Sequence, residues 1–227
     1  MNSADYHLNG YAIGAFADNA ERTKLLSIIR DIHAGTVRPG FEMQQKYKMS
    51  SDLKPNVYQY DPVFVDILFS NNIPEVLKSV TGKDLVLAHV QLRISFPEGG
   101  SYMSWHRDTH VYGGQIVGNI PPVHKIIFYP TVDGVTDARL KVVPGSHRFV
   151  FGNKYIDFIS ALLGKKKTIS ASDSEYLLFN TELFHHVVPE HNQKGSFRLI
   201  YSFCEKEQLK NYEGQEELFE MYQKRMI

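Results

Sequence analysis

Following the Pro97-Glu98-Gly99-Gly100 turn, the segment Tyr102-Met103-Ser104-Trp105-His106-Arg107-Asp108 sets an imidazole and a carboxylate two residues apart. In extended backbone alternate side chains share a face, so His106 and Asp108 can converge on one point. A neutral imidazole and a carboxylate suit a divalent metal. One distant histidine would complete the two-histidine, one-carboxylate triad that leaves open positions on Fe(II). Leu183-Phe184-His185-His186-Val187-Val188 offers two candidates for that third ligand. In a strand the two point to opposite faces, so only one can reach a metal. Farther along, Ser196, Arg198, Ile200 and Ser202 alternate with Phe197, Leu199, Tyr201 and Phe203. Arg198 therefore stands opposite the aromatic set, and its guanidinium is a planar fork for a carboxylate. A lone His-x-Asp arises easily by chance, and a lone arginine is usually a surface ion pair. The order of the motifs gives them weight.

The elements that must position these residues are legible in part. From Asp84 to Phe96, Val86, Ala88, Val90, Leu92, Ile94 and Phe96 alternate with Leu85, Leu87, His89, Gln91, Arg93 and Ser95. Period two means a strand, apolar on one side and turning polar along the other. The apolar side should pack on helices; the polar side faces either solvent or a cavity. Further β-like runs stand at Lys125 to Tyr129, Leu140 to Val143, Glu175 to Asn180, His185 to Val188 and Ser196 to Phe203.

The helices come mostly first. Asp18 with Glu21 reads as a capping box ahead of Leu25, Ile28, Ile29 and Ile32, with Gly35 to end the helix. A second helix opens at Asp61-Pro62, and a third runs from Pro74 to Gly82. Phe41 to Tyr60 lacks periodicity and reads as a long loop, whose Gln44 to Pro55 part, with its serines and lysines, could close over a polar substrate. Another helix carries Ile156, Ile159, Leu162 and Leu163 before Gly164, and the charged tail after Glu205 suits a surface helix. Helices followed by many short strands predict a mainly β fold with flanking helices, a sandwich or jelly roll.

At 227 residues, with 43% hydrophobic and 22% charged residues and no repeat or linker, residues 1–227 read as one domain. Net charge is zero, so neither nucleic acid nor a membrane is expected as a partner. Lys165, Lys166 and Lys167 read as a solvated connection, being too few for an interaction tail. With one cysteine, Cys204, no disulfide or cysteine-rich metal site can form within the chain. No apolar run is long enough to span a bilayer, and Met1 to Asp5 lack a signal-peptide start, so a cytoplasmic location is expected.

Taken together, Trp105-His106-Arg107-Asp108, then Leu140-Lys141-Val142-Val143-Pro144-Gly145-Ser146-His147-Arg148, then the distal histidine and Arg198, resemble the phytanoyl-CoA dioxygenase-like family of Fe(II)/2-oxoglutarate oxygenases. Asn9-Gly10-Tyr11 resembles that family's N-terminus, and the likeness runs from Tyr6 to Phe203. It implies a cupin-like double-stranded β-helix, with Fe(II) on His106, Asp108 and the distal histidine. The ungapped Leu183-Phe184-His185 match selects His185 over His186. Arg198 would pair the far carboxylate of 2-oxoglutarate. Arg93 and Ser95 would line the co-substrate site, and Gln91 and Trp105 the substrate site. The turn from Pro144 to Arg148 would be structural.

Oxygen and 2-oxoglutarate would be consumed to hydroxylate a small molecule, with succinate and carbon dioxide released. Related halogenases lack the carboxylate that Asp108 supplies, which favours hydroxylation, while desaturation and epimerisation stay open. Two features depart from the family. The stretch between the distal histidine and Arg198 is longer than usual, and Val187 stands where a small polar residue is common, a part Ser196 could take. A catalytically inactive jelly-roll binding module and a 2-oxoglutarate-independent metal dioxygenase are the rival readings, and Arg198 argues against the second.

Overall fold

The computed structural model describes residues 3–47, 50–95, 104–108, 111–112, 115–116, 123–130, 139–172, 174–187, 196–212 and 214–226. In chain order the elements are α1 (Ser3–Asn9), β1 (Tyr11–Ala15), α2 (Ala20–His33), β2 (Glu42–Tyr47), β3 (Ser50–Lys54), α3 (Val57–Tyr60), α4 (Val63–Ser70) and α5 (Ile73–Thr81). Next come β4 (Val86–Ser95), β5 (Val111–Tyr112), β6 (Gln115–Ile116), β7 (His124–Phe128), β8 (Arg139–Val142) and α6 (Lys154–Leu162). The chain continues with β9 (Lys167–Ser170), β10 (Glu175–Asn180), β11 (His185–Val187), β12 (Ser196–Cys204) and α7 (Glu216–Arg225).

Seven strands pair in the order β1-β10-β7-β12-β4-β3-β2, and three more in the order β11-β8-β9. All pairings are antiparallel. The fold is a double-stranded β-helix, mainly β with flanking helices, and among the described residues no helix is long and apolar enough to cross a membrane.

The large sheet has two faces of different chemistry. On the outer face Val86, Ala88, Val90, Leu92 and Ile94 of β4, with Leu199, Tyr201 and Phe203 of β12, pack into one core with the helices. Leu25, Ile29 and Ile32 of α2, Phe64 and Leu68 of α4 and Leu77 of α5 fill that core. The inner face turns toward the small sheet. There Ile127 of β7 and Leu177 and Phe179 of β10 meet Leu140, Val142, Ile169 and Leu183 in a second core. The polar side of β4 lies on this inner face and is largely buried: Arg93 and Ser95 are 7% and 2% exposed. It is turned away from solvent.

Three sequence expectations are corrected. Asn19, not Asp18, caps α2, because its side chain accepts a hydrogen bond from the Arg22 amide at 2.9 Å; Asp18 pairs with the Arg22 guanidinium instead. The stretch from 41 to 60 is no loop: β2 and β3 form a hairpin that extends the sheet beyond β4, followed by the short α3. Its alternation is hidden because the residues it buries inward, Ser50 and Asp52, are polar. The C-terminal helix is not purely a surface element, since Leu218 and Tyr222 are fully buried against the main core.

The β-runs and the helices at Val63 and Ile73 fall close to expectation. Gly82 ends α5 at φ +71°, a left-handed conformation that favours glycine. Phe96, the turn from Pro97 to Gly100, Tyr102, Met103 and Val188 lie outside the described residues.

Burial, with nearby cations, brings both His89 and His124 down to about 4. Both are neutral in the fold over a range where the unfolded chain binds protons. Stability is therefore fully present above about pH 6.5 and declines as pH falls toward 4. A series of urea denaturations between pH 7 and 4.5 should show that decline, with a shallower slope in His89→Gln.

Candidate active site

Backbone pairing creates the site. The His106 amide donates to the His185 carbonyl and the His185 amide to the His106 carbonyl, both at 2.9 Å. Directly opposed residues in such a pair present their side chains on the same side, and the two rings lie 4.2 Å apart, centroid to centroid. The Asp108 amide donates to Thr181 at 3.0 Å, which carries the same segment forward by two residues. Period two then brings the Asp108 carboxylate beside the two rings.

His106 Nε2 stands 3.5 Å from Oδ1 of Asp108, and His185 Nε2 3.7 Å from Oδ2. One ligand atom from each of the three side chains lies within 4.8 Å of the others. Each ring is turned the same way. His106 Nδ1 meets the Ser104 carbonyl at 2.6 Å and His185 Nδ1 the Leu183 carbonyl at 2.7 Å. A carbonyl can only accept, so both Nδ1 atoms carry the proton and both Nε2 lone pairs face the carboxylate. His106 Nε2 is buried without a hydrogen-bond partner among the described residues.

The electrostatics suit a cation. Burial would raise the Asp108 carboxyl, but the Lys125 ammonium at 2.7 Å holds it far below the usual carboxylate range. Burial pushes His185 down to about 4, so it is neutral near pH 7. An ionised carboxylate and a neutral imidazole are what a divalent metal requires of its ligands. The donor set fits a facial triad.

Residues of opposite parity point away and lock the strand. Trp105 stacks on Phe184 at 5.4 Å and on His186 at 5.5 Å, so both it and His186 lie outside the triad. The Arg107 side chain is 3% exposed and makes a two-pronged pair with Asp157 of α6, Nε to Oδ2 at 2.6 Å and a second contact at 2.9 Å. It also donates to the Ser146 carbonyl at 3.0 Å and to the Glu182 carbonyl. The turn containing Ser146 is structural. The Ser146 hydroxyl accepts from the Phe184 amide at 2.9 Å, and His147 meets the His7 carbonyl at 3.2 Å.

The wall beside the triad is the inner face of β4 and β12. Arg198 lies opposite Arg93, and Ser196 opposite Ser95. Arg198 is 5% exposed and donates to the Ser95 hydroxyl. The Arg93 guanidinium pairs with Asp52 of β3 through contacts of 2.7 and 3.0 Å, and Gln91 donates to the same carboxylate at 2.5 Å. Gln91 and Arg93 are thus gathered by Asp52, and Arg198 is the second guanidinium on the wall. The Ser196 side chain lies outside what is described.

Sequence reasoning missed Lys125, Asp52 and Asp157. Each left a faint signal: the one acid of β3, the one acid of α6 and the one lysine of β7.

No family model matches the chain, and no curated protein matches it in sequence. Solved structures do match in three dimensions. HygX from Streptomyces hygroscopicus, with nickel, 2-oxoglutarate and hygromycin B bound, superposes with a TM-score of 0.66 at 12% identity, over 91% of this chain and 88% of that one. The non-haem α-ketoglutarate-dependent carbocyclase SnoK from nogalamycin biosynthesis gives 0.69 at 10% identity, over 89% and 82%. The epimerase SnoN, in complex with Fe3+, α-ketoglutarate and nogalamycin RO, gives 0.66 at 11% identity, over 89% and 82%. The likeness is one of fold.

Removing one partner of a buried ion pair strands the other charge, at about 3–5 kcal/mol. Asp157→Ala should therefore lower unfolding free energy by about that much, and Arg107→Leu combined with Asp157→Leu should recover most of it. Urea denaturation of the three proteins measures both effects. A loss below about 1 kcal/mol in Asp157→Ala would be that of an ordinary surface pair and would remove its role as a clamp.

Proposed function

We propose that this protein is an Fe(II)- and 2-oxoglutarate-dependent oxygenase of the phytanoyl-CoA dioxygenase-like kind, hydroxylating an unactivated C–H bond of a small molecule. The observation that carries the reading is the convergence of His106, Asp108 and His185, with both Nε2 atoms facing one carboxylate. In this reading those three residues hold Fe(II). Together with 2-oxoglutarate and dioxygen, the metal supplies the oxidising power for the reaction, and succinate and carbon dioxide are released.

The chain's own residues supply protonation, orientation and dryness. Lys125 keeps Asp108 ionised by contacting Oδ2. Arg198, steadied by Ser95, takes the far carboxylate of 2-oxoglutarate through its planar fork. Arg93 and Ser196 flank that site, with Arg93 held in place by Asp52. Gln91 stands farther along the same wall, toward the substrate. Ile127, Leu140, Val142 and Leu183 form an apolar floor that limits water near the reacting centre. Trp105 serves by packing the ligand strand against Phe184, not by touching substrate.

The comparisons support the cofactor class through structures holding nickel or iron with 2-oxoglutarate. They also include an epimerase and a carbocyclase, so the reaction type is tested by product mass. Hydroxylation adds one oxygen atom, epimerisation leaves the mass unchanged, and ring closure removes two hydrogens.

Anaerobic protein should bind one Fe(II) and develop a weak visible band on addition of 2-oxoglutarate. The band should vanish in His185→Ala and persist in His186→Ala; the reverse result would transfer the ligand role to His186. Arg198→Leu should raise the KM for 2-oxoglutarate roughly 30-fold or more, because a charge-assisted pair in a desolvated site is lost. Arg93→Leu is the comparison. If it alone shifts that KM, the carboxylate anchor is Arg93.

A further inference from the structure

Helix α6 is amphipathic in the wrong sense for a surface helix. Its fully buried residues are Asp157, which holds Arg107, and Ala161 one turn later, with Phe158 and Leu162 only partly covered against the Phe184 cluster. At the end of the helix Gly164 approaches Val143 too closely for any side chain. The opposite face is apolar and open. Tyr155, Ile159 and Leu163 recur at intervals of four and are 67%, 60% and 85% exposed. Ile156 joins them on the same side, and Phe149 and Phe151 extend the patch from the preceding segment, all exposed. Monomeric soluble proteins seldom leave so many large apolar side chains open together.

The charges around the patch indicate what covers it. Between residues 148 and 167 the chain carries Arg148, Lys154, Lys165, Lys166 and Lys167 and a single acid, Asp157. That acid is buried in the pair with Arg107. Within this segment the exposed charge is therefore positive, although the whole protein is neutral; Lys167, at its far end, has Asp5 of α1 nearby. Arg148, Lys165 and Lys166 are exposed, at the two ends of the apolar stretch.

We propose that α6 and its flanks form an interfacial docking surface for an anionic lipid bilayer. A helix lying in the plane of a membrane presents apolar side chains to the acyl boundary and basic residues to the head groups. A bilayer needs no groove to receive a convex stripe. A second copy of the chain fits worse, because a two-fold contact through the same patch sets its basic rim against itself. Asp157 ties α6 to the residue between His106 and Asp108, so the docked surface and the ligand strand form one unit. The proposal is independent of the reaction assigned to the site.

Co-sedimentation of the intact protein with phosphatidylcholine vesicles, with and without phosphatidylglycerol, tests it at physiological ionic strength. Binding is expected to the anionic vesicles and to weaken as salt rises. Ile159→Asp with Leu163→Asp should abolish it. Lys165→Ser with Lys166→Ser should lower the partition coefficient about 25-fold, at roughly fivefold per lysine. These positions are exposed, so unchanged urea midpoints will show the variants folded.

Failure of the wild-type protein to bind, equal binding to neutral vesicles, or binding indifferent to the four substitutions would each overturn the proposal. So would a concentration-dependent dimer in sedimentation velocity that the two aspartates disperse, which would give the stripe to a second copy.

Discussion

The reciprocal hydrogen bonds between the backbones of His106 and His185 hold the whole site in register. They join a short extended segment to β11, and through β11 to the small sheet. Once that pair is formed, strand parity decides the remainder. His106, Asp108 and His185 share one side, while Trp105, Arg107 and His186 share the other. A one-residue slip would exchange the two sets and replace imidazole and carboxylate by an indole and a guanidinium. The opposite side is accordingly well fastened. Trp105 stacks on two rings, and Arg107 is bound to Asp157 and three carbonyls.

Two buried ion pairs, Arg107–Asp157 and Arg93–Asp52, sit on either side of the functional face. Such pairs give little net stability, because desolvation offsets most of their attraction. Their value here is positional. Each guanidinium is planar and held through two nitrogens, so it fixes direction as well as distance. Arg107–Asp157 fixes α6 against the ligand strand. Arg93–Asp52 draws the β2–β3 hairpin against β4 and leaves Arg198 as the neighbouring guanidinium on the wall.

The fold leaves the reaction open, as folds generally do. Proteins of closely similar shape are described as an epimerase and a carbocyclase. On the inner side of the sheet Gln91 is engaged by Asp52, and the rim near β2 and β3 carries polar Gln44, Gln45 and Lys46, all exposed.

Local pattern alone determined much of this protein. Period two in β4 and β12 identified both strands and placed Arg93, Ser95 and Arg198 on one side, and the His-x-Asp spacing nominated two members of the triad. Composition and element order were enough for a mainly β fold, and the motif order for its family likeness. The β2–β3 hairpin was not legible, because its buried residues are polar and burial of a charge makes sense only when its partner is known. Asp52 lies 41 residues from Arg93, and Asp157 lies 50 from Arg107. The geometry separating His185 from His186 likewise came from which strand His106 pairs with, since parity says only that the two differ. The open face of α6 was hidden for the same reason. A helical stripe reads as core until the structure shows that its one acid, not its isoleucines, turns inward. Periodicity belongs to the chain and is written in it; which partner meets each face depends on contacts between distant residues, and only the tertiary structure decides them.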